Sequence, residues 1–367
     1  MTTARAALLH GPGEPLTIEE VEVDQLRDDE VLIKVVGVGV CHTDLVGQEG
    51  VVPLPYPSVL GHEASGVVAE IGSAVTSLRV GDPVVVSFAS CGECDMCLGG
   101  RPAYCDLFAP LNYFGSRLDG SVTLHQGEDE VYGSFFGQSS FATHVLTSAR
   151  NAVRVPDDLP LDIAGPLGCG FLTGAGTVFN VLKVQPGSTL AVFGVGAVGL
   201  ASVMAAAVAG AETIIAIDIS ADRLELAKEL GATHTIDASQ VDDVVWAVME
   251  VVPVGVHASI DAVGHESVIR NALESLRATG TCATVGLQGL ENEVSVNQGH
   301  LLIGRTLTGV IEGDADPQVL IPRLAELFAE GRFPFDRLVK KYAFLDLDRA
   351  LADTRDGRVI KPVLVMP

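Results

Sequence analysis

This chain of 367 residues carries a formal net charge of −24 at pH 7, and 48% of its residues are hydrophobic. An acidic surface repels the phosphates of nucleic acids and of anionic membranes, so we expect neither as a partner. The hydrophobic content excludes a disordered chain, and the length predicts about two domains with sizeable cores.

Two stretches of the sequence bear on where in the cell we expect the protein. Residues 1–13 carry Arg5 and His10 and have no long apolar core, so we expect no secretory signal there and a cytoplasmic protein. The uncharged stretch 187–211 is long enough to be considered as a membrane span. Three glycines interrupt its middle, so we expect a buried strand, a turn and a buried helix instead.

The chain begins with a β-rich part that extends to about residue 170. Runs rich in Val and Ile at 31–40, 64–71 and 83–88 predict strands, and clusters of Gly, Pro and Asp between them predict turns. We expect a small barrel or sandwich that carries a cysteine-rich loop.

Four of the seven cysteines, Cys91, Cys94, Cys97 and Cys105, form the pattern C-x2-C-x2-C-x7-C. Four sulfurs can close a tetrahedral structural zinc site. Disulfides are one alternative, but an odd number of cysteines without a secretory signal favours metal binding. An iron–sulfur cluster is another, but its sequence run ends in Cys-Pro after a shorter gap, whereas Asp106 follows Cys105 here. We interpret the pattern as a structural zinc site.

Two further cysteines, Cys41 and Cys169, lie far apart in sequence with His62 between them. Two sulfurs and one imidazole make a catalytic zinc site whose fourth position stays open. The sequence therefore predicts two zinc ions per chain and a metal-assisted enzyme. Cys282 lies in an apolar stretch, which predicts buried packing for its side chain.

From about residue 171 the pattern changes to alternating strands and helices. Such alternation predicts an α/β fold with a doubly wound parallel sheet over 171–311, and we expect the tail 312–367 to return to the first domain. The predicted strands are 190–193, 213–218, 257–262, 281–285, 307–311 and 363–365, and the predicted helices are 198–209, 221–230, 242–251, 266–276 and 317–330.

The pattern G-x-G-x-x-G at Gly194, Gly196 and Gly199 follows an apolar strand and opens a helix, which is the context of a dinucleotide-binding turn. These glycines permit a tight turn, close approach of pyrophosphate and packing of the helix on the strand, and the helix N-terminus attracts the phosphates. Asp218 follows at the distance where a carboxylate hydrogen-bonds the ribose 2′-hydroxyl and repels a 2′-phosphate. The pattern therefore predicts NAD rather than NADP.

Together these motifs resemble the zinc-containing medium-chain alcohol dehydrogenase family. The pattern G-H-E-x2-G-x5-G-x2-V at 61–75, the segment Cys-His-Thr-Asp at 41–44, the cysteine loop, the Gly-Cys-Gly around Cys169 and the glycine turn occur in that family's order. The resemblance covers essentially the whole chain. It implies a GroES-like catalytic domain over 1–170, a Rossmann coenzyme domain over 171–311 and a homodimer or homotetramer.

Within that family the chain is most similar to aryl (benzyl) alcohol dehydrogenases, in the segments 122–141, 311–314 and 333–336. The resemblance implies reversible, NAD-linked oxidation of a primary aromatic alcohol to its aldehyde, by hydride transfer from a zinc-bound alkoxide. Geraniol-type terpenol dehydrogenases share much of this pattern, and the glutathione-dependent formaldehyde dehydrogenase branch is a second alternative. A zinc-storing or redox-sensing NAD-binding protein without turnover is a non-enzymatic one.

The resemblance also assigns roles by position. Cys41, His62 and Cys169 correspond to the catalytic zinc ligands. Asp44 corresponds to the carboxylate that orients the ligand histidine, and Glu63 to a residue that approaches the metal when water exchanges.

One departure from the family's pattern lies on the expected proton path. Thr43 corresponds to the hydroxyl that accepts the alcohol proton. Val46 stands where many members of the family have the histidine that ends the relay. The path therefore ends at His42 or at water.

Two larger sets complete the assignments, one for the coenzyme and one for the apolar substrate channel. Apolar walls suit a benzylic or allylic alcohol because burial of a ring supplies binding free energy. The coenzyme set is Gly194, Gly196, Val198, Gly199, Asp218, Arg223, Thr173, His42, Val285, Val310, Glu312 and Lys361, and the channel set is Phe88, Phe135, Phe136, Leu287 and Ile311.

Overall fold

We describe the fold from a computed structural model, which covers residues 2–289 and 291–367. Its strands, numbered in chain order, are β1 (Thr2–Leu9), β2 (Thr17–Val23), β3 (Glu30–Gly39), β4 (Ser58–Val59), β5 (Ala64–Ile71), β6 (Pro83–Val86), β7 (Leu124–Gln126), β8 (Asp129–Val131), β9 (His144–Ser148), β10 (Ala152–Arg154), β11 (Thr189–Phe193), β12 (Thr213–Asp218), β13 (His234–Asp237), β14 (Val256–Asp261), β15 (Leu276–Thr284), β16 (Thr306–Gly309), β17 (Val339–Ala343) and β18 (Lys361–Val365).

The helices are numbered in the same way. They are α1 (His42–Gln48), α2 (Asp95–Leu98), α3 (Phe108–Tyr113), α4 (Leu161–Ala164), α5 (Gly170–Gly176), α6 (Ala197–Ala209), α7 (Ala221–Glu229), α8 (Val244–Val251), α9 (Glu266–Glu274), α10 (Gln298–Leu302), α11 (Pro317–Ala329) and α12 (Leu347–Arg355). Among the described residues, no helix combines the length and the apolar character that a membrane crossing requires.

The chain divides into two compact units. The first contains residues 2–169, Asp316–Ala329 and Asp336–Pro367, and the second contains Gly170–Ala315 and Glu330–Phe335. The tail from residue 312, for which we expected a return to the first domain, is therefore shared between the two units.

The first unit is built from two sheets with the strand orders β4-β1-β2-β7-β8 and β10-β6-β5-β3-β18-β17, and β9 also pairs with β3. Strand β3 is the centre of the larger sheet because it pairs with β5, β9 and β18. Its sequence, EVLIKVVGVG, is apolar at most positions, and only Lys34 is exposed. Because β3 ends at Gly39 and Val40 N–H donates to Pro362 O, Cys41 and helix α1 begin beside the start of β18.

The second unit contains a six-stranded parallel sheet with the order β13-β12-β11-β14-β15-β16. This is the order of the doubly wound dinucleotide-binding fold, in which ligands bind beyond the carboxyl ends of the strands. Both β11 and β12 are almost entirely buried, as expected for strands covered on both faces. Cys282 is buried in the core of this unit, as predicted, and burial raises the pKa of its thiol to about 12.

Two differences from the predicted elements have clear causes. Strand β15 begins at Leu276, five residues before the predicted start, because Leu276 pairs with Val256 across an irregularity that the apolar pattern does not reveal. Strand β13, His234–Asp237, was not predicted, because four residues of mixed polarity carry no clear alternation.

Candidate active site and metal centres

The four-cysteine loop brings its sulfurs together. The Sγ atoms of Cys91, Cys94, Cys97 and Cys105 all lie within 4.8 Å of one another. Two of the separations are 3.9 Å (Cys91 to Cys97) and 4.0 Å (Cys94 to Cys105), far longer than the roughly 2 Å of a disulfide. Tetrahedral zinc with Zn–S bonds of about 2.3 Å would hold sulfurs about 3.8 Å apart. The donor set therefore fits a zinc ion.

Backbone N–H groups surround these sulfurs. Cys91 N–H donates to Cys105 Sγ, and the N–H groups of Glu93 and Cys94 donate to Cys91 Sγ. A backbone hydrogen bond from Asp106 is the largest of the effects that lower the pKa of Cys94 to about 6, whereas burial raises the pKa of Cys105 to about 12. Neighbouring thiols of this kind cannot all ionise without a cation between them.

A second cluster is formed by Cys41, His62, Glu63 and Cys169, whose ligand atoms also lie within 4.8 Å of one another. The buried Nε2 atom of His62 makes no hydrogen bond of ordinary geometry within the described part of the chain. A buried imidazole nitrogen without such a bond, in a residue clustered with two cysteines, fits a metal ligand, because buried polar atoms otherwise find a partner. Cys41, His62 and Cys169 would hold a zinc ion.

Asp44 ties this cluster together. It is fully buried, and its Oδ1 atom accepts hydrogen bonds from His62 Nδ1 at 2.8 Å and from the Gly61 N–H at 3.1 Å. Its Oδ2 atom accepts a bond from the Cys41 N–H at 2.9 Å. Burial alone lowers the pKa of His62, but Asp44 and Cys41 outweigh burial and raise that pKa well above its ordinary value. The pocket therefore favours positive charge at His62 Nε2, which a metal cation can supply.

Glu63 pairs with a residue from the far end of the chain. Lys361 Nζ lies 3.0 Å from each carboxylate oxygen of Glu63 and donates to Val40 O at 3.2 Å. Burial alone lowers the pKa of Lys361, but Glu63, Cys41 and Cys169 outweigh it and raise that pKa, so the ammonium stays charged. Burial raises the pKa of Glu63, and Lys361 opposes this effect. Lys361, which the resemblance places at the pyrophosphate, is only 2% exposed in this pair.

The remaining residues of the predicted proton path lie at the start of α1. Thr43 Oγ1 is 3.8 Å from Cys41 Sγ, so the hydroxyl lies beside the cluster. His42 is exposed, and Val46, which stands in place of the usual histidine, is buried. His42 is the one histidine of α1, and it is more exposed than Thr43.

Two phenylalanine rings pack against the imidazole of His62. Phe136 stacks on the imidazole with ring centroids 4.5 Å apart, and Phe135 meets it edge-on at 5.7 Å. Further rings extend from Phe136 and form what we call the aromatic cluster, which consists of Phe88, Phe108, Tyr113, Phe135 and Phe136.

Sequence analysis missed Gln138, which supports the ligand from behind. Its side chain is 1% exposed, and its Nε2 atom donates to His62 O at 2.9 Å and to Ser87 O at 3.3 Å. Its Oε1 atom accepts a bond from the Ala64 N–H. In the sequence it is a single glutamine between Gly137 and Ser139, which carries no signal for this role.

In the second unit the glycine turn joins β11 to α6. Gly194 has a φ of +84°, and a Cβ atom on Gly199 would lie 2.0 Å from Gly194 O. A Cβ atom on Gly196 would meet nothing within 4 Å, so this position is open to a ligand. Turn and helix thus have the form that a pyrophosphate requires.

Asp218, at the end of β12, is engaged by the backbone around this turn. Its Oδ2 atom accepts a bond from the Val195 N–H at 2.8 Å, and its Oδ1 atom accepts bonds from the N–H groups of Ile219 and Ser220. The carboxylate therefore stabilises the turn in addition to the predicted role at the ribose.

The other predicted coenzyme residues follow the carboxyl ends of strands or lie on helices of the second unit. Val285 follows β15 and Val310 follows β16. Thr173 Oγ1 donates to Glu312 Oε2 at 3.4 Å, and both residues are buried. Arg223 and Val198 are half-buried on α7 and α6.

The substrate set divides between the units. Phe88, Phe135 and Phe136 are buried in the first unit, whereas Leu287 and Ile311 are exposed residues of the second, at 37% and 44%. Because Phe135 is fully buried, we describe it as support for His62 rather than as an open wall.

Comparison with known proteins decides the family. Residues 27–157 match the alcohol dehydrogenase GroES-like domain, and residues 197–329 match the zinc-binding dehydrogenase domain. The chain belongs to the zinc-containing medium-chain alcohol dehydrogenase family. Its fold is therefore the family's GroES-like domain with a Rossmann-like domain, and it is an enzyme of the alcohol dehydrogenase type.

Individual relatives are similar over their whole length. A geraniol dehydrogenase of Castellaniella defragrans is 45% identical over 99% of this chain and 98% of the relative. The crystal structure of an alcohol dehydrogenase zinc-binding domain protein from Burkholderia ambifaria is 44% identical, with a TM-score of 0.98 over 100% of this chain and 99% of that one. The crystal structure of benzyl alcohol dehydrogenase from Acinetobacter calcoaceticus is 42% identical, with a TM-score of 0.96 over 100% of both.

Asp44→Asn tests the support of the histidine ligand. The amide keeps one acceptor oxygen but no charge, so we expect zinc affinity at the Cys41, His62 and Cys169 cluster to fall about 10–100-fold. Competition with a chromophoric chelator measures this affinity. Asp157→Asn, at a side chain that is 81% exposed, is the matched control. An affinity equal in both variants would contradict the role.

A glycine pair tests the turn. Gly199→Ala should lower the free energy of unfolding by about 1–3 kcal/mol, because its Cβ collides with Gly194 O. Gly196→Ala meets open space and should change that free energy by less than about 0.5 kcal/mol, yet weaken NAD binding. Urea denaturation and NADH fluorescence titration separate the two effects. Equal loss of stability in both variants would rule out this assignment.

Proposed function

We propose that this alcohol dehydrogenase oxidises a primary aromatic, benzyl-type alcohol reversibly to its aldehyde, with NAD as the hydride acceptor and two zinc ions per chain. The observation that carries the proposal is the stack of Phe136 on His62, with Phe135 at its edge. We infer that a substrate at the open metal position would lie in the apolar surroundings that these rings create. Similarity over the whole chain to a benzyl alcohol dehydrogenase supports the same conclusion.

The energetic case rests on the apolar surroundings. Full burial of a phenylalanine-sized group stabilises by about 1.5–3 kcal/mol, and an aromatic pair adds about 0.5–1.5 kcal/mol. Phe88 and Phe136 are 3% and 4% exposed, so their rings are already held in place by the fold. A benzyl ring would gain contacts here that ethanol cannot make.

Different residues of the candidate centre would have different roles in the oxidation of the alcohol. Zinc, when bound, would polarise the alcohol oxygen and lower its pKa. Thr43 Oγ1 would accept the hydroxyl proton while it passes its own proton on, and His42 or water would receive the proton at the end of this path. Asp44 keeps His62 in the tautomer whose Nε2 faces the metal. Phe135 and Phe136 exclude water from that side of the imidazole.

The second unit provides most of the residues that we expect to bind the coenzyme. Pyrophosphate would lie against the turn at Gly196, and the nicotinamide would lie beyond the ends of β15 and β16, near Val285 and Val310. Asp218 favours NAD because its carboxylate would repel a 2′-phosphate.

A geraniol-type allylic alcohol is the second candidate. A geraniol dehydrogenase is 45% identical to this chain over nearly its full length, and apolar walls would accept an isoprenoid chain as well as a ring. The chemistry at the metal is the same for both substrates.

Parallel assays of NADH formation with benzyl alcohol, geraniol, ethanol and a formaldehyde–thiol adduct test the proposal. We expect kcat/KM for benzyl alcohol to exceed that for ethanol by about 10–100-fold, from burial of the ring. Preference for geraniol would reassign the pocket and keep the mechanism. Activity with the thiol adduct alone would overturn the branch, and no activity with any alcohol would favour a non-enzymatic role.

Asp218→Gly tests the choice of coenzyme. We expect the ratio of kcat/KM with NAD to that with NADP to fall at least several-fold, since the charge that repels a 2′-phosphate is gone. Unfolding stability should also fall, because three N–H groups lose their acceptor. Asp242→Asn, an exposed residue of the same unit, controls for the change in net charge. An unchanged coenzyme ratio would refute the assignment.

A further inference from the structure

The aromatic cluster connects two places that the chemistry treats separately. Phe136 stacks on His62 at 4.5 Å, and Phe108 meets Phe136 edge-on at 6.4 Å with the ring planes at 89°. Tyr113 closes a triangle, with centroids 5.6 Å from Phe136 and 5.8 Å from Phe108. Edge-to-face pairs at these distances are attractive and have defined geometry. The rings therefore form a continuous path that ends at the imidazole.

The other end of the path is the four-cysteine loop. Phe108 begins α3 three residues after Cys105, and its N–H donates to Cys105 O at 2.8 Å. The N–H of Leu107 donates to Cys105 Sγ at 3.4 Å. Since the last cysteine of the loop directly precedes α3, the loop's fold determines where the Phe108 ring lies.

Asn112 fixes α3 to the beginning of the same loop. It is fully buried, and its side-chain amide accepts a bond from the Ala89 N–H and donates to Ala89 O, at 2.8 and 2.9 Å. The same amide donates to Phe108 O at 2.7 Å. Ala89 stands two residues before Cys91, so both ends of the loop are held against the helix that carries Phe108 and Tyr113.

Phe136 is held in a conformation that a bulky residue rarely adopts, with φ at +52°. Around it, Ser139 Oγ accepts a bond from the Phe135 N–H and donates to Val59 O, at 2.8 and 2.6 Å. Such backbone strain persists only where the surroundings impose it, and it is frequent at functional sites. The ring of Phe136 is therefore kept against His62 and cannot relax away.

We propose that Phe108 and Tyr113 are positioning residues of the catalytic centre. Through their contacts with Phe136, they connect the position of the four-cysteine loop to the orientation of the His62 imidazole. They thereby set the direction in which its Nε2 atom points. The proposal rests on the assignment of Cys41, His62 and Cys169 as the catalytic zinc ligands. Nothing in it requires Phe108 or Tyr113 to touch a substrate.

The geometry explains why a hydrogen bond alone does not suffice. Asp44 holds the imidazole at Nδ1, which leaves the ring free to rock about that contact. A stacked ring at an interplanar angle of 27° opposes this rocking, because Phe136 would have to move with the imidazole. Supporting residues of this kind determine whether a metal ligand is held tightly enough for catalysis.

Cobalt(II) in place of the catalytic zinc provides a readout besides activity, because its visible d–d bands respond to ligand geometry. We expect Phe108→Leu to shift these bands and lower kcat several-fold, with the KM for NAD unchanged and metal content equal to that of the unmodified chain. Phe344→Leu, at a residue that is 2% exposed in the same unit, is the control for loss of a buried ring. It should destabilise the chain and leave the bands in place.

A second pair of variants covers the case in which Phe108→Leu does not fold. Tyr113 is half-buried, so Tyr113→Leu removes a ring with less risk to folding. Tyr113→Leu should shift the bands, whereas Tyr113→Phe, which retains the ring, should leave them in place. Unmoved bands in Phe108→Leu and Tyr113→Leu would overturn the positioning role alone. An unmodified chain that binds no cobalt through thiolates would overturn the catalytic centre and this inference with it.

Discussion

The buried carboxylate of Asp44 is the interaction on which the candidate centre depends. A fully buried carboxylate is costly unless it is hydrogen-bonded, and Asp44 accepts bonds from His62 Nδ1 and from the N–H groups of Gly61 and Cys41. These donors come from two segments, one after β3 and one between β4 and β5. One side chain therefore fixes Cys41 and His62 in relation to each other, and separating either from Asp44 would leave a donor unpaired.

Charge balance around this centre requires the end of the chain. The cluster collects two thiols and the Glu63 carboxylate in an interior where negative charge is unfavourable. Lys361 at the start of β18 supplies the compensating ammonium, and it reaches Glu63 only because β18 pairs with β3. The centre is thus completed by the last strand of the sheet, which explains why residues so distant in sequence form one unit.

Local patterns predicted much of the fold. Strand β5 and strand β12 have the bounds that the sequence indicated, and α6 begins within one residue of its predicted start, since glycine turns and apolar runs act over short distances. The sequence also indicated the two clusters of possible metal ligands that the fold brings together, because few residue types bind zinc. The pair of Glu63 with Lys361 could not, since the two are 298 positions apart and charged residues at such separations show no pattern. Asn112 and Gln138 were missed for the same reason, because an isolated buried amide has no periodicity.

The candidate metal ligands and the aromatic cluster come from different segments of the chain. This explains why the sequence identifies the family more readily than the substrate. The candidate metal ligands Cys41, His62 and Cys169 all belong to the first unit, where they lie after β3, before β5 and before α5. The aromatic cluster comes instead from the segments after Cys105 and around Phe136, which contain little regular structure. Backbone and amide hydrogen bonds hold the aromatic cluster in place, whereas the exposed Leu287 and Ile311 can be exchanged for other apolar side chains at small cost in stability. A geraniol dehydrogenase and a benzyl alcohol dehydrogenase can therefore both resemble this chain over nearly its whole length.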